Sequence, residues 1–230
     1  MVEGAEMSER EKILGRVREA LQRPGAIGHS QSHLKAGGTR SAYVDVLPLV
    51  GGDPETWIES FRRESEALRT EFHLLPDEEA VRAFLRQMAF EEKWAKLASH
   101  HAVVTDAVVP AIQVPVMWVE DSGGGEVMEA CDASVTGCDC LVAQTGSVVV
   151  TSGSCGGRAL SVLPPHHIVL ARRDQMVGGL PDAFELLHST YGKDYPSMIS
   201  FITGPSRTGD IERILVLGAH GPKRLTVLCY

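Results

Sequence analysis

The sequence predicts an α/β domain in which a mixed sheet is covered on both faces, and three observations carry that expectation. Strand-like apolar runs crowd the second half of the chain, helix-forming segments lie before and between them, and the composition is that of one globular core. At 230 residues, 43% hydrophobic and 23% charged, the chain can bury a sizeable core. Its net charge of -8 disfavours the basic surface that nucleic acid requires, so no nucleic-acid partner is expected. No window approaches the roughly 18 apolar residues of a membrane span, and Met1-Val2-Glu3-Gly4-Ala5-Glu6 is acidic where a signal peptide is basic. A cytoplasmic location follows as the expectation. The five cysteines, Cys131, Cys138, Cys140, Cys155 and Cys229, form no CxxC pair and no cluster-ligating run, so reduced thiols and no metal or cofactor are expected.

Taken in order, Ser8-Glu9-Arg10-Glu11 is a capping box ahead of Ile13, Leu14, Val17 and Leu21 at helical spacing, with Pro24 as the stop. The Gly-, Ser- and His-rich stretch from Gly25 to Ser41 reads as a linker, giving a helix and linker over 1–40 and a domain over 41–230. Asp53-Pro54 starts a second helix, with Trp57, Phe61, Leu68 and Phe72 along one face. Pro76-Asp77-Glu78-Glu79 opens a third, with Val81, Phe84, Leu85 and Met88 inward and Arg82 and Arg86 toward water. Val103-Val104 reads as a short strand, and Ile112 to Val119, interrupted by Pro115, suits an edge strand.

Leu141 to Gln144 and Ser147 to Thr151 flank Thr145-Gly146, the pattern of a hairpin. Gly153-Ser154-Cys155-Gly156-Gly157 matches a nucleophile elbow with Cys for Ser, but the following Arg158 to Pro165 reads extended where an elbow needs a helix. A glycine loop is the better account. His166 to Ala171 reads as a strand, with His166 and His167 on opposite faces, one in the core or a site and the other exposed. Gln175 to Tyr191 reads as a helix that Gly192 ends. Ser197 to Ile202 suits a buried parallel strand, and Ile214 to Leu217 and Leu225 to Leu228 complete the set.

The richest chemistry follows that buried run, in Thr203-Gly204-Pro205-Ser206-Arg207-Thr208-Gly209-Asp210-Ile211-Glu212. Ligands of open α/β sheets gather where strands end, so the loop reads as a site. Ser206 and Thr208 supply hydroxyls, and the Arg207 fork matches a carboxylate or phosphate, which points to a small anionic ligand. Asp210 and Glu212 are suited to capping or to holding the guanidinium. A structural loop with Arg207 tied to these carboxylates stands beside that reading.

Leu141 to Val150, Gly157-Arg158, Ser161 to Ile168, Thr203 to Glu212 and Gly218-Ala219-His220-Gly221-Pro222 together resemble the LUD domain family, in the same order over the C-terminal half. The resemblance implies a three-layer α/β/α fold with a mixed, mostly parallel sheet, similar to the sugar-phosphate isomerase and CoA-transferase group. It also implies work beside iron–sulfur-type partner proteins in cytoplasmic oxidation of L-lactate to pyruvate, as the cluster-free member and with no catalytic role assigned. Thr145, Gly146, Arg158, His167, Ser206, Arg207, Asp210, Glu212 and His220 fall in the shared motifs; Gln144 departs from the acidic residue expected before Thr145. Two other functions remain open: an independent enzyme on a phosphorylated or CoA-linked substrate, and a structural or regulatory subunit.

Overall fold

The computed structural model describes residue 10 and residues 50–121, 126–208, 216–217 and 221–230. The chain divides into two units, Met1–Val44 and Asp45–Tyr230, and apart from Arg10 all described residues belong to the second. The expected N-terminal helix and linker otherwise lie outside the described residues, as do Asp210, Glu212 and His220.

Helix α1 spans Pro54–Ala67, where Asp53 accepts the Thr56 N–H at 3.0 Å and Pro54 occupies the first turn. It stops earlier than the apolar spacing suggested: Arg69 turns left-handed, and Phe72 falls on strand β1, Glu71–Leu74. Phe72 still meets Phe61 edge-on at 5.1 Å. Helix α2 spans Glu78–Glu91, capped by Asp77, and buries Val81, Leu85 and Met88. Arg82 does not simply face water; it donates to the Ala107 carbonyl at 3.0 Å and pairs with Glu78 and Glu79.

Strand β2 (Leu97–Ser99) precedes helix α3 (Val103–Val108), where the sequence suggested a strand. β-Branched residues lost to local capping: the Ala102 N–H donates to Thr105 Oγ1 at 3.0 Å, and that hydroxyl reaches the His100 carbonyl at 2.6 Å. Strand β3 (Val116–Trp118) is an edge strand, as its prolines predict. There follow helix α4 (Glu126–Glu129) and strands β4 (Ala133–Thr136), β5 (Cys140–Val142) and β6 (Ser147–Thr151). Strands β5 and β6 form the expected antiparallel hairpin, with Leu141 opposite Val148.

Residues 159–161 form a 3-10 turn rather than extended chain, ahead of β7 (His166–Ala171) and β8 (Met176–Val177). Helix α5 runs over Leu180–Tyr191, β9 over Ile199–Ile202, β10 over Arg207–Thr208, β11 over Val216–Leu217 and β12 over Arg224–Cys229.

Six strands form a wholly parallel sheet in the order β1-β12-β7-β4-β2-β3. A four-stranded mixed sheet runs β8-β5-β6-β9, and β10 pairs with β11. The mixed, mostly parallel α/β arrangement expected from the sequence is therefore present. Alternation along the parallel strands sorts the core. Ile168, Leu170 and Leu228 meet α2, α3 and the 109–112 turn on one face. On the other, Val169, Ala171, Leu225 and Val227 meet Phe61 of α1 together with Leu141, Val148 and Val150 of the small sheet. Helix α5 backs the small sheet through Ala183 and Leu187.

Strand β9 corrects one expectation. It lies at the edge of the small sheet, antiparallel to β6 and half-buried, so Thr203 and Gly204 do not leave the carboxyl end of a buried parallel strand. They turn back toward the amino ends of β1 and β12: Gly204 closes on Leu68, and the Ser206 N–H donates to the Pro222 carbonyl at 2.9 Å.

Candidate functional site

The parallel sheet has two edges of different chemistry. At the amino edge Arg224 binds both oxygens of Glu71 at 3.0 and 3.1 Å and Glu92 at 2.7 Å. Glu92 also accepts the Trp94 indole N–H at 3.1 Å, and the Thr226 hydroxyl donates to Glu71 at 3.1 Å. With that hydrogen committed, His166 Nε2 donates to Thr226 Oγ1 at 2.8 Å. Nδ1, bare and unpartnered, lies 3.7 Å from Glu92. Burial first, then Arg224, pushes the His166 pKa down to about 4, so the ring is neutral and no ion pair forms with Glu92.

Near this edge the predicted Thr145 joins two other hydroxyl residues of the motifs. Thr145 Oγ1, Ser147 Oγ and Thr203 Oγ1 form a chain with two contacts of 2.8 Å. Gly146 and Gly204 have positive φ, and a Cβ on them would stand 2.4 Å from the Ser65 nitrogen and 2.8 Å from the Leu68 carbonyl oxygen. Both glycines are thus fixed by the C-terminal turn of α1. Ser206 lies near the same edge, its N–H on the Pro222 carbonyl, whereas His167 and Arg158 lie elsewhere. His167 is wholly buried, its Nε2 2.9 Å from Thr136 Oγ1, and burial pushes its pKa down to about 3. His166 is buried as well, so neither histidine is the exposed one that the sequence suggested. Arg158 is exposed, on the turn that follows Gly156 past His100.

At the carboxyl edge a cavity of about 350 Å³ opens beyond β4, β7 and β12, between Glu78, Val103, Gly137, Ser154, Arg172 and Tyr230. Ligands of open α/β sheets bind outside the carboxyl ends of the strands, and pockets of this size hold small metabolites. The Ser154 hydroxyl donates to Asp139 at 2.5 Å and accepts the Thr151 N–H at 2.9 Å. Tyr191 donates to the other Asp139 oxygen, and burial with that carboxylate pushes its pKa up. Beside it, His100 and His101 diverge. His100 is buried with Nε2 unpartnered, and desolvation lowers its pKa. His101 is half-exposed, holds Asp106 at 2.7 Å through Nδ1 and stacks on Trp118 at 4.2 Å, and Asp106 raises its pKa. The Asp106 carboxylate fixes the tautomer with Nε2 outward, which suits His101 to proton transfer.

Sequence reasoning missed His101, Asp106, Asp139, Ser154 and Tyr191. The one local signal was His101 five residues before Asp106; Asp139 and Tyr191 are joined only by the fold. Cys155 is buried, its thiol pushed up to about 12, in keeping with a glycine loop rather than a nucleophile elbow. Among the described residues no group of three or more His, Cys, Asp or Glu is arranged to hold a metal ion. Among them, too, no helix is long and apolar enough to cross a membrane.

Comparison with known proteins adds a family and a fold. The model of the LUD domain family matches residues 58–230. Lactate utilization protein C of Halalkalibacterium halodurans is 38% identical over 107 residues, 46% of this chain and 45% of that protein. The proteins of the same name from a Geobacillus species and from Deinococcus radiodurans are 37% and 31% identical, over 49% and 57% of this chain and 48% and 64% of theirs. The chain thus spans about half the length of the curated relatives it matches. Among solved structures, a DUF162 family protein from Deinococcus radiodurans superposes with a TM-score of 0.62 at 19% identity, covering 78% of this chain and 99% of that one. That likeness concerns the fold.

Proposed function

The chain belongs to the LUD domain family, and on that premise we propose that it is a component of the system that oxidises L-lactate to pyruvate in the cytoplasm. The observation that carries the reading is the family match over residues 58–230, joined to relatives that share the name lactate utilization protein C. In this reading the chain holds no cluster and works beside iron–sulfur-type partner proteins, with a helix and linker over 1–40 ahead of the α/β domain of 41–230. The loop from Thr203 to Glu212 receives a small anion or a partner surface. Ser206, Arg207 and Thr208 make the contacts, and Asp210 and Glu212 keep the loop's shape. Thr145, Gly146, Arg158, His167 and His220 belong to the same family motifs. The hydroxyl chain from Thr145 to Thr203 supports the reading, because it sets donors beside the start of that loop.

The test is a deletion strain grown on L-lactate and complemented with the wild-type chain or with Arg207→Ala. Loss of growth on L-lactate but not on glucose is expected for the deletion, and impaired growth with a soluble protein for Arg207→Ala. Normal growth of the deletion strain would overturn the assigned role; normal growth with Arg207→Ala would overturn the loop alone.

A second reading, an enzyme acting without partners on a phosphorylated or CoA-linked substrate, is favoured by the His101–Asp106 pair near a cavity at the carboxyl edge. It requires turnover by the purified chain and its loss in His101→Gln.

A further inference from the structure

A groove of about 500 Å³ runs between the end of α2 and the 109–114 turn, joined to the amino edge only through Trp94, whose indole N–H is held by Glu92. Ala89, Trp94, Ile112 and Val114 form its apolar floor, and Arg86 and Lys93 its charged rim. Phe90 stands at the lip with 84% of its surface exposed, although it is the kind of residue that a monomer hides and an interface uses as an anchor. No carboxylate lines the groove, in a chain whose net charge is -8. Arg86 shares one nitrogen with Glu79 at 3.1 Å.

The backbone supplies an independent observation. Only three non-glycine residues among those described have positive φ, and two of them, Lys93 and Gln113, line this groove. Both close a helical segment: the Lys93 N–H reaches the Phe90 carbonyl at 3.3 Å, and Trp94 reaches Ala89 at 3.0 Å. Glycine is the unstrained residue for such a stop. The chain instead holds a long cationic and a long amide side chain there, which costs fold stability and gains the groove two polar groups.

We propose that this groove docks an acidic segment of a partner protein, anchored by an apolar side chain on the floor beside Phe90 and by carboxylates at Lys93 and Arg86. Charge complementarity selects that occupant, since a basic or neutral segment would leave the rim unanswered. The proposal does not depend on the lactate reading.

The test uses the full chain and a fluorescent peptide carrying Leu-Phe between pairs of glutamates, with one control bearing lysines for the glutamates and another bearing alanines for Leu-Phe. The glutamate peptide should bind, weaken several-fold between 0.05 and 0.5 M salt on the order expected for screened charges, and outbind both controls about tenfold. Lys93→Gly should weaken it about tenfold while raising Tm, a combination that a merely structural residue would not give. Phe90→Ala should weaken it comparably with Tm unchanged. Absence of binding, equal binding of the three peptides, or a fall in Tm with Lys93→Gly would overturn the proposal. So would a concentration-dependent dimer that Phe90→Ala abolishes, which would make the occupant a second copy.

Discussion

The amino edge of the parallel sheet is the more fully paired of its two edges, and the carboxyl edge leaves more chemistry unspent. At the amino edge Glu71, Glu92, Arg224 and Thr226 satisfy one another, and His166 is held neutral among them. At the carboxyl edge Asp139 likewise consumes two hydroxyls, but a cavity stays open and His101 keeps one imidazole nitrogen free of any partner among the described residues. Density of polar residues in the sequence therefore marks where polar groups meet; only geometry says which of them remain available.

The largest expected effect compares the glycines that close each edge. Gly146→Ala sets a Cβ 2.4 Å from the Ser65 backbone, and Gly156→Ala one 2.2 Å from His100 Cβ, both at positive φ. Each should lose about 3 kcal/mol or more in urea unfolding, from strain and overpacking together. If Gly156→Ala costs under about 1 kcal/mol, the carboxyl edge is softer than the packing around His100 implies.

Next comes acid. His166 and His167, with pKa values of about 4 and about 3, stay neutral in the folded chain while the unfolded chain binds protons below the ordinary 6.5. Stability is fully present above pH 6.5 and falls as pH drops from there toward those values, by up to about 1.4 kcal/mol per pH unit for each ring. Urea midpoints between pH 7 and 5 check this, and His166→Asn should flatten the slope. The carboxyl edge supplies the contrast in one NMR titration: His101 should titrate above 6.5 and His100 below it.

A smaller change is expected from Arg224→Ala, which leaves Glu71 and Glu92 without their cation. Because this network is partly solvated, about 1–2 kcal/mol is expected, and less in high salt. Smallest of all, His101→Gln should alter stability by under about 0.5 kcal/mol, since the ring is half-exposed. A large loss there would make His101 a structural residue and the two edges alike.

Much of the fold was legible because local and global preferences agree. The Asp53-Pro54 and Asp77 caps start α1 and α2, the β-rich runs on either side of Thr145-Gly146 give the hairpin, and Pro115 marks an edge. Legibility failed where a distant partner decides. Ser197 to Ile202 has the composition of a buried parallel strand, but β6 pairs with Ile199–Ile202 antiparallel at the border of the smaller sheet. Val103-Val104 has strand propensity, but one threonine hydroxyl caps the segment as a helix. The carboxyl-edge groups come from separate stretches of chain, such as Asp139 with Tyr191, so no window of sequence holds them together.

The position of β12 bears on how this molecule is made. Strand β12 lies between β1 and β7, so among the described strands Glu71 to Leu74 has no neighbour in the large sheet until Thr226 to Cys229 arrives. At about 5–20 residues per second, the ribosome needs roughly 8–30 s to supply the intervening chain. During that interval β1 waits without its strand partner, while Phe61 of α1 can already meet Leu141, Val148 and Val150 of the small sheet. Nascent chains stalled shortly before residue 224 should engage holding chaperones, and emergence of β12 should end that engagement in one cooperative step.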